Sequence, residues 1–265
     1  MSSDLLIELL QALDAPQHKF AIYGRYYRGE NQSLGFVSPP ESQAAIGHRL
    51  SSMVVNIPRV LVNALAERCR IFLGFFDPDE TIWRDFIAND LDQQAGIVHR
   101  SALLYGQSFV IVWGGDGNRP IATVESPLNV QVLTDPATGV ITSAVKRYTT
   151  KHESHAYVYL PTEVQHWRAK AVGAASSAYE LVEKLPHHMG MVPVVRFLNA
   201  DLIGGDGVSE ISDIMKPSDG LSKKISTDML VGSEFYAKPR RVLTGVEMVE
   251  VAKRDEKNGG DPRSR

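Results

Sequence analysis

The segment Arg100-Ser-Ala-Leu-Leu-Tyr-Gly-Gln-Ser-Phe-Val-Ile-Val-Trp113 marks the point where the hydrophobic period of the chain changes. Before it, apolar residues recur every three to four positions, the spacing of a helix face. After it they fall into short runs and alternations of period two, the spacing of strands. Gly106 reads as a helix stop and Phe109–Trp113 as an apolar strand, followed by the turn Gly114-Gly-Asp-Gly117.

Working back toward the N-terminus, Leu5, Leu6, Leu9, Leu10 and Leu13 predict a helix that Ser3 or Asp4 can cap and Pro16 follows. Phe20–Tyr27 predicts a second short helix stopping at Gly29. Asn56 is a good cap, and Pro58 is tolerated in a first turn, where its missing N–H has no partner to lose. Ile57, Leu61, Ala64, Leu65, Cys69 and Phe72 predict a helix that runs on toward Gly74, with Cys69 as a buried thiol. Ile82, Trp83, Phe86 and Ile87 form one further stripe, and Leu91, Ala95, Val98, Ala102 and Leu103 another. Asp77, Asp79, Glu80, Asp90 and Asp92 stand at helix starts, where the macrodipole favours negative charge.

Working forward, eight short strands are predicted: Phe109–Trp113, Ile121–Glu125, Val130–Leu133, Val140–Lys146, Ala156–Leu160, Glu163–Trp167, Tyr179–Glu183 and Val192–Phe197. No helix intervenes, so antiparallel pairing is expected. Ala169–Ala178 is small and polar and reads as a flexible hairpin tip. From Gly207 the helical period returns through Ile211, Ile214, Met215, Leu221, Ile225, Met229 and Leu230, with Pro217 as a break or kink. Residues after Lys253 carry charge, Gly and Pro without apolar anchors and read as a disordered tail. The fold class is α+β: N-terminal helices, a central antiparallel β region, then a long helix.

Composition narrows the function. With 43% hydrophobic and 22% charged residues, the 265-residue chain can bury a sizeable core. A net charge of −3 argues against gripping nucleic acid by the whole surface, which needs clustered Lys and Arg. One cysteine excludes an internal disulfide and a cysteine zinc site. The N-terminus lacks the basic region of a signal peptide and no stretch is apolar enough to span a bilayer, so no membrane is expected and the chain reads as cytoplasmic.

Reactive constellations are few. His152 and His155, with Glu153, could serve a metal-dependent hydrolase, but two histidines without a third ligand read better as a solvated turn. His99 reads as a buried or capping residue, and His187-His188 as a loop. Gly114-Gly-Asp-Gly117 lacks the Lys-Ser/Thr and following helix of a phosphate loop. Gly204-Gly-Asp-Gly207 precedes a helix but reads as a hinge. No cofactor motif is found and no enzyme activity is expected. Lys216, Lys223 and Lys224, and Lys238, Arg240 and Arg241, form two basic groups that ordinarily face water. A generic α+β interaction module is a further alternative.

Several short pieces stand in a telling order: Tyr26-Tyr-Arg-Gly-Glu30, Asn56-x-Pro-Arg-Val-Leu-Val62, Ala102-Leu-Leu-Tyr-Gly-Gln-Ser-Phe-Val110, Ser126-Pro, Asp135-Pro-Ala-Thr-Gly139, Val192-Pro-Val-Val-Arg-Phe-Leu-Asn199, Gly207-Val-Ser-Glu-Ile211 and Lys238-Pro-Arg-Arg-Val-Leu-Thr-Gly245. The order resembles the portal proteins of tailed double-stranded-DNA bacteriophages, of the long-tailed type, from about Tyr26 to about Gly245. The resemblance implies a portal wing over residues 1–206, a stem-like helix over 207–237, and the start of the clip with a disordered tail over 238–265. It implies a head-tail connector ring, usually a dodecamer, through which viral DNA enters and leaves the capsid. Implied partners are other copies of the chain, the terminase large subunit, head-completion or adaptor proteins, capsid and scaffold proteins, and the passing DNA. Implied locations are the virion's portal vertex and, during assembly, the host bacterial cytoplasm. Lys216, Lys223 and Lys224 would then face the DNA channel, and Lys238, Arg240 and Arg241 the clip and terminase. The chain stops about where the clip would be built, so a truncated prophage copy, unable to form a stable dodecamer alone, is expected.

Overall fold

Leu6, Leu9, Leu10 and Leu13 are all at most 1% exposed, so the first helix, α1 (Ser2–Asp14), buries the predicted leucine row. The computed structural model describes residues 2–30, 56–69, 81–115, 119–202 and 205–237. The chain divides into units Met1–Ser226 and Thr227–Arg265. Every contact described below lies in the first unit. Helix α2 (Gln17–Arg28) ends at Gly29, whose φ of 72° turns the chain into the left-handed region that glycine tolerates best. Helix α3 (Ile57–Ala66) starts as predicted: the Asn56 side chain accepts the Arg59 N–H at 3.1 Å and donates to the Tyr27 carbonyl at 3.0 Å. One residue thus caps α3 and ties it to α2.

Helix α3 is shorter than its apolar pattern. It stops at Ala66, and i→i+3 bonds from Arg68 N–H to Leu65 O and from Cys69 N–H to Ala66 O tighten the chain there. That tightening swings Cys69 out of the helical row, so its thiol is exposed rather than buried. A thiol reagent should therefore label one equivalent in the native protein without denaturant; no reaction before unfolding would contradict this placement. Phe72, Gly74 and Asp77–Glu80 lie outside the described residues. Helix α4 (Thr81–Ala88) buries no residue, and its Trp83 and Phe86 rings stack at 5.4 Å. Helix α5 (Leu91–Tyr105) buries Val98, Ala102 and Leu104. Asp90 precedes it at φ 53° with no side-chain cap bond. Asn89 joins α4 to the sheet instead, accepting from Ala122 N–H at 2.9 Å and donating to the Asp85 and Pro120 carbonyls.

All eight predicted strands form, and every pairing is antiparallel. They divide between two sheets. In the three-stranded sheet, β1 (Gln107–Gly114) lies between β2 (Pro120–Glu125) and β8 (Val194–Leu198). The five-stranded sheet runs in chain order through β3 (Val130–Thr134), β4 (Ile141–Thr149), β5 (Ser154–Tyr159), β6 (Glu163–Ala169) and β7 (Glu180–Pro186). Period two sorts its residues to both faces. Val145, Ala156, Val158 and Trp167 pack with the α1 leucines; Val130, Val132, Ala144, Tyr159 and Val164 pack with Phe109, Ile111 and Val194 of the other sheet. An ion pair at 2.5 Å joins Lys146 of β4 to Glu125 of β2, the latter 11% exposed, so the inter-sheet layer is pinned at its polar end. Arg147 reaches Asp14 at the end of α1.

Three expectations change. The Ala169–Ala178 connection is not a free tip. Ala169 and Tyr179 are buried with the α1 leucines, Ala174 packs beside them, and Ser176–Ala178 forms a 3₁₀ turn. Ala171, Gly173, Ala175, Ser177 and Ala178 between them stay exposed. The last described helix, α6 (Met215–Ala237), has Pro217 in its first turn, where no backbone donor is needed, so Pro217 starts the helix rather than kinking it. The predicted apolar side of α6 is only partly buried: Met215 packs on the helical cluster, but Leu221 and Met229 are 42% and 49% exposed, while Ser218 and Ser222 are each 1% exposed. The buried apolar anchor is Ile211, just before the helix, packed with Phe20, Tyr23, Val62 and Leu104. Among the described residues, no helix is long and apolar enough to cross a membrane.

Candidate functional site

A helix leaves its last carbonyls without intrahelical donors. In α5 the segment from Asn199 to Glu210 supplies them. Glu210 N–H donates to Leu103 O at 3.0 Å, the Ser209 hydroxyl donates to Leu104 O, and Asn199 N–H donates to Gly106 O at 2.9 Å. The Asn199 side-chain amide donates to Val208 O at 2.8 Å and to the Glu210 carboxylate at 3.0 Å. Ser209 is 2% exposed. Gly106, at φ 88°, lets the backbone turn, and Gly207 lets it pass against Gly106 with no side chain between. Gly207 thus serves a close backbone crossing rather than leaving the chain loose before α6.

This joint sets where α6 begins. Ile211 plugs the helical cluster, and Met215 N–H bonds Ile211 O at 3.1 Å. One turn into α6, the Tyr26 hydroxyl donates to Asp219 Oδ2 at 2.5 Å. Burial, with the Asp219 carboxylate second, pushes the Tyr26 phenol up to about 12, so it stays a donor across the neutral range. Tyr26 belongs to Tyr26-Tyr-Arg-Gly-Glu30 and Gly207 to Gly207-Val-Ser-Glu-Ile211; the fold brings these distant pieces together around the start of α6.

The predicted basic residues separate. Lys216 and Lys224 are exposed on α6, and Lys223 follows Lys216 by seven positions on the same helix. Lys238, Arg240 and Arg241 lie outside the described residues. The predicted histidine pair does not assemble. His152 sits exposed in the turn before β5, whereas His155 Nδ1 is 3.1 Å from Nε2 of His166. His166 carries no signal of its own, but the short β5–β6 connection places His155, Tyr157, His166 and Arg168 on one sheet face. Among the described residues, no group of three His, Cys, Asp or Glu could hold a metal ion. His187 donates through Nε2 to the Leu160 carbonyl at 2.9 Å and meets Trp113 edge-on, a packing role. His99 meets Phe197 edge-on.

One surface feature was not legible from the period alone. Every residue of edge strand β7 is exposed, including Leu181, Val182 and Leu185, and Met189 and Met191 continue the apolar strip at 40% and 67% exposure. An edge strand with bare apolar residues is a ready template for a partner.

The family described as "Phage portal protein, SPP1 Gp6-like" matches residues 24–261. The portal protein of Mycobacterium phage L5 is 27% identical over 262 residues, covering 92% of this chain and 52% of the phage protein. The portal protein of Mycobacterium phage D29 is 27% identical over 264 residues with the same coverage. The chain spans about half the length of the curated relatives it matches. Since the family match takes in α3 to α6, both sheets and both halves of the Gly106–Gly207 joint, this chain belongs to the phage portal protein family of the SPP1 Gp6-like type.

Proposed function

We propose that the chain is a structural subunit of the connector ring at one vertex of a tailed-phage head, the ring through which double-stranded DNA is packaged and ejected. The family match along residues 24–261 carries this reading. In it, residues 1–206 are the wing, 207–237 a stem-like helix, and 238–265 lead toward the clip. The bonded joint at Gly106 and Gly207 would fix the point at which the stem-like helix leaves the wing. Copies related by rotation in a closed ring meet through two different patches; the bare β7 edge supports one such contact. Lys216, Lys223 and Lys224 would face the channel. A net charge of −3 suits a conduit, because each neutralised phosphate adds salt-sensitive affinity that would slow passage. The terminase large subunit would supply the motor, and head-completion, capsid and scaffold proteins would meet the ring from outside.

Interrupting the gene in the phage that carries it should yield heads without genome, restored by the complete gene supplied in trans. Normally filled heads from the interrupted gene would rule the reading out.

A further inference from the structure

Four near-parallel rings stand together on one face of the five-stranded sheet. The β5–β6 register pairs Tyr157 with His166 and His155 with Arg168, so the two histidines lie diagonally across the ladder. Their facing nitrogens, Nδ1 of His155 and Nε2 of His166, are 3.1 Å apart; the ring centroids are 5.4 Å apart and the planes 21° from parallel. That centroid separation is as long as the N···N distance and two ring radii allow. The nitrogens therefore point head-on at each other, and the contact is an N–H···N hydrogen bond holding one proton. A shared metal ion would need the two lone pairs to converge off that line, and they do not. Tyr148 lies over His155 at 5.0 Å and Tyr157 over His166 at 4.6 Å, with the tyrosines 6.0 Å apart.

The charges around the pair favour one protonation pattern. Glu153 Oε2 is 3.5 Å from His155 Nε2, and its other oxygen is 3.9 Å from Arg168 of β6. Glu183 of β7 stands opposite His166, and Lys146 of β4 stands opposite Tyr157, held by Glu125. A carboxylate beside His155 Nε2 favours a proton on that nitrogen. In the neutral pair, His166 Nε2–H therefore donates to His155 Nδ1.

We propose that His155 and His166 form a one-charge clasp across β5 and β6: the pair accepts a single added proton with its hydrogen bond intact, and a second proton opens it. On the first step a solvent proton binds Nδ1 of His166 and the bridging proton shifts to Nδ1 of His155. The product is an imidazolium on His155 donating to a neutral His166, a charge-assisted bond beside Glu153 and beneath Tyr148. On the second step a proton binds Nε2 of His166. Both facing nitrogens then carry hydrogen, the acceptor is gone, and two positive charges confront each other.

Burial, and next the charge of His155, hold His166 below the ordinary histidine range, with Glu183 opposing. The sign follows. Stability from neutral His166 is complete above the ordinary histidine pKa of about 6.5 and is lost as pH falls through the lowered folded value.

Two measurements on the full chain test this. Ring-nitrogen NMR across an acid titration should show the folded pair gaining one charge while the β5–β6 contacts persist. Two imidazolium rings with the β5–β6 contacts intact would overturn the proposal. Thermal unfolding of the wild type and of His166→Phe, which keeps a ring under Tyr157, should differ in pH dependence. The wild-type midpoint should fall further on acidification, by about 3–5 °C for each tenfold difference in the proton affinity of His166 between unfolded and folded chain. Equal slopes in the two proteins would also overturn it, and the NMR result stands alone if the variant does not fold.

Discussion

Gly106→Ala is expected to destabilise the protein by about 2–5 kcal/mol, combining the cost of a side chain at positive φ, roughly 1–2 kcal/mol, with overpacking of roughly 1–3 kcal/mol. At φ 88°, a Cβ on residue 106 would meet the Gly207 carbonyl carbon at 2.5 Å and its oxygen at 2.6 Å. These are backbone atoms and cannot rotate away. A Cβ on residue 207 would in turn collide with the Gly106 carbonyl, so Gly207→Ala should carry the overpacking cost alone. Moving either strand of the crossing disturbs the donors from Asn199, Ser209 and Glu210 that complete the end of α5. Gly96 provides the control. It lies within α5, and a Cβ there would meet nothing within 4 Å, so Gly96→Ala should stabilise by up to about 1 kcal/mol. Urea unfolding of the three variants gives the comparison. A Gly106→Ala cost below about 1 kcal/mol would mean the crossing is not tight.

Phe109→Ala should cost about 3–5 kcal/mol, the range for deleting a fully buried aromatic ring. Phe109 is 0% exposed and sits between the sheets with Ile111, Val130, Val132 and Ala144. The ring belongs to the central strand of one sheet and touches the other, so neither sheet can close over the cavity without moving its partners. Phe109→Leu, which keeps most of the volume, should cost under about 1.5 kcal/mol. Denaturation midpoints separate the two. Equal losses would show that the inter-sheet layer tolerates a void and that the core lies elsewhere.

Local signals in the chain were sufficient for what local physics controls. The leucine row of α1, the Asn56 cap, the stops at Gly29 and Gly106 and the eight strands each follow from spacing and capping within a few residues, and each is present. Spacing failed where partners are distant. Cys69 follows the apolar row but is exposed, because the chain tightens after Ala66. Ala169–Ala178 looks like a loose tip until α1 is laid beneath it. Leu221 obeys the helical period but is exposed, while buried Ser218 and Ser222 occupy the inward side, where small residues permit close approach.

The candidate site divides in the same way. The pieces Tyr26-Tyr-Arg-Gly-Glu30 and Gly207-Val-Ser-Glu-Ile211 were legible as strings, and their order along the chain pointed to the family that the comparisons show. Their joining was not legible: Ser209 finds the end of α5 across 105 positions, and Asp219 finds Tyr26 across 193. The sequence pairs His155 with the wrong neighbour, because His152 is near in sequence while His166 is near in space. Sequence by itself determined the elements and their order, since capping, periodicity and turn chemistry act over a single helical turn or hairpin. Tertiary structure alone decided the division into two sheets, the Gly106–Gly207 crossing and the histidine clasp, because each depends on which distant backbone satisfies an orphaned hydrogen bond or fills a buried space.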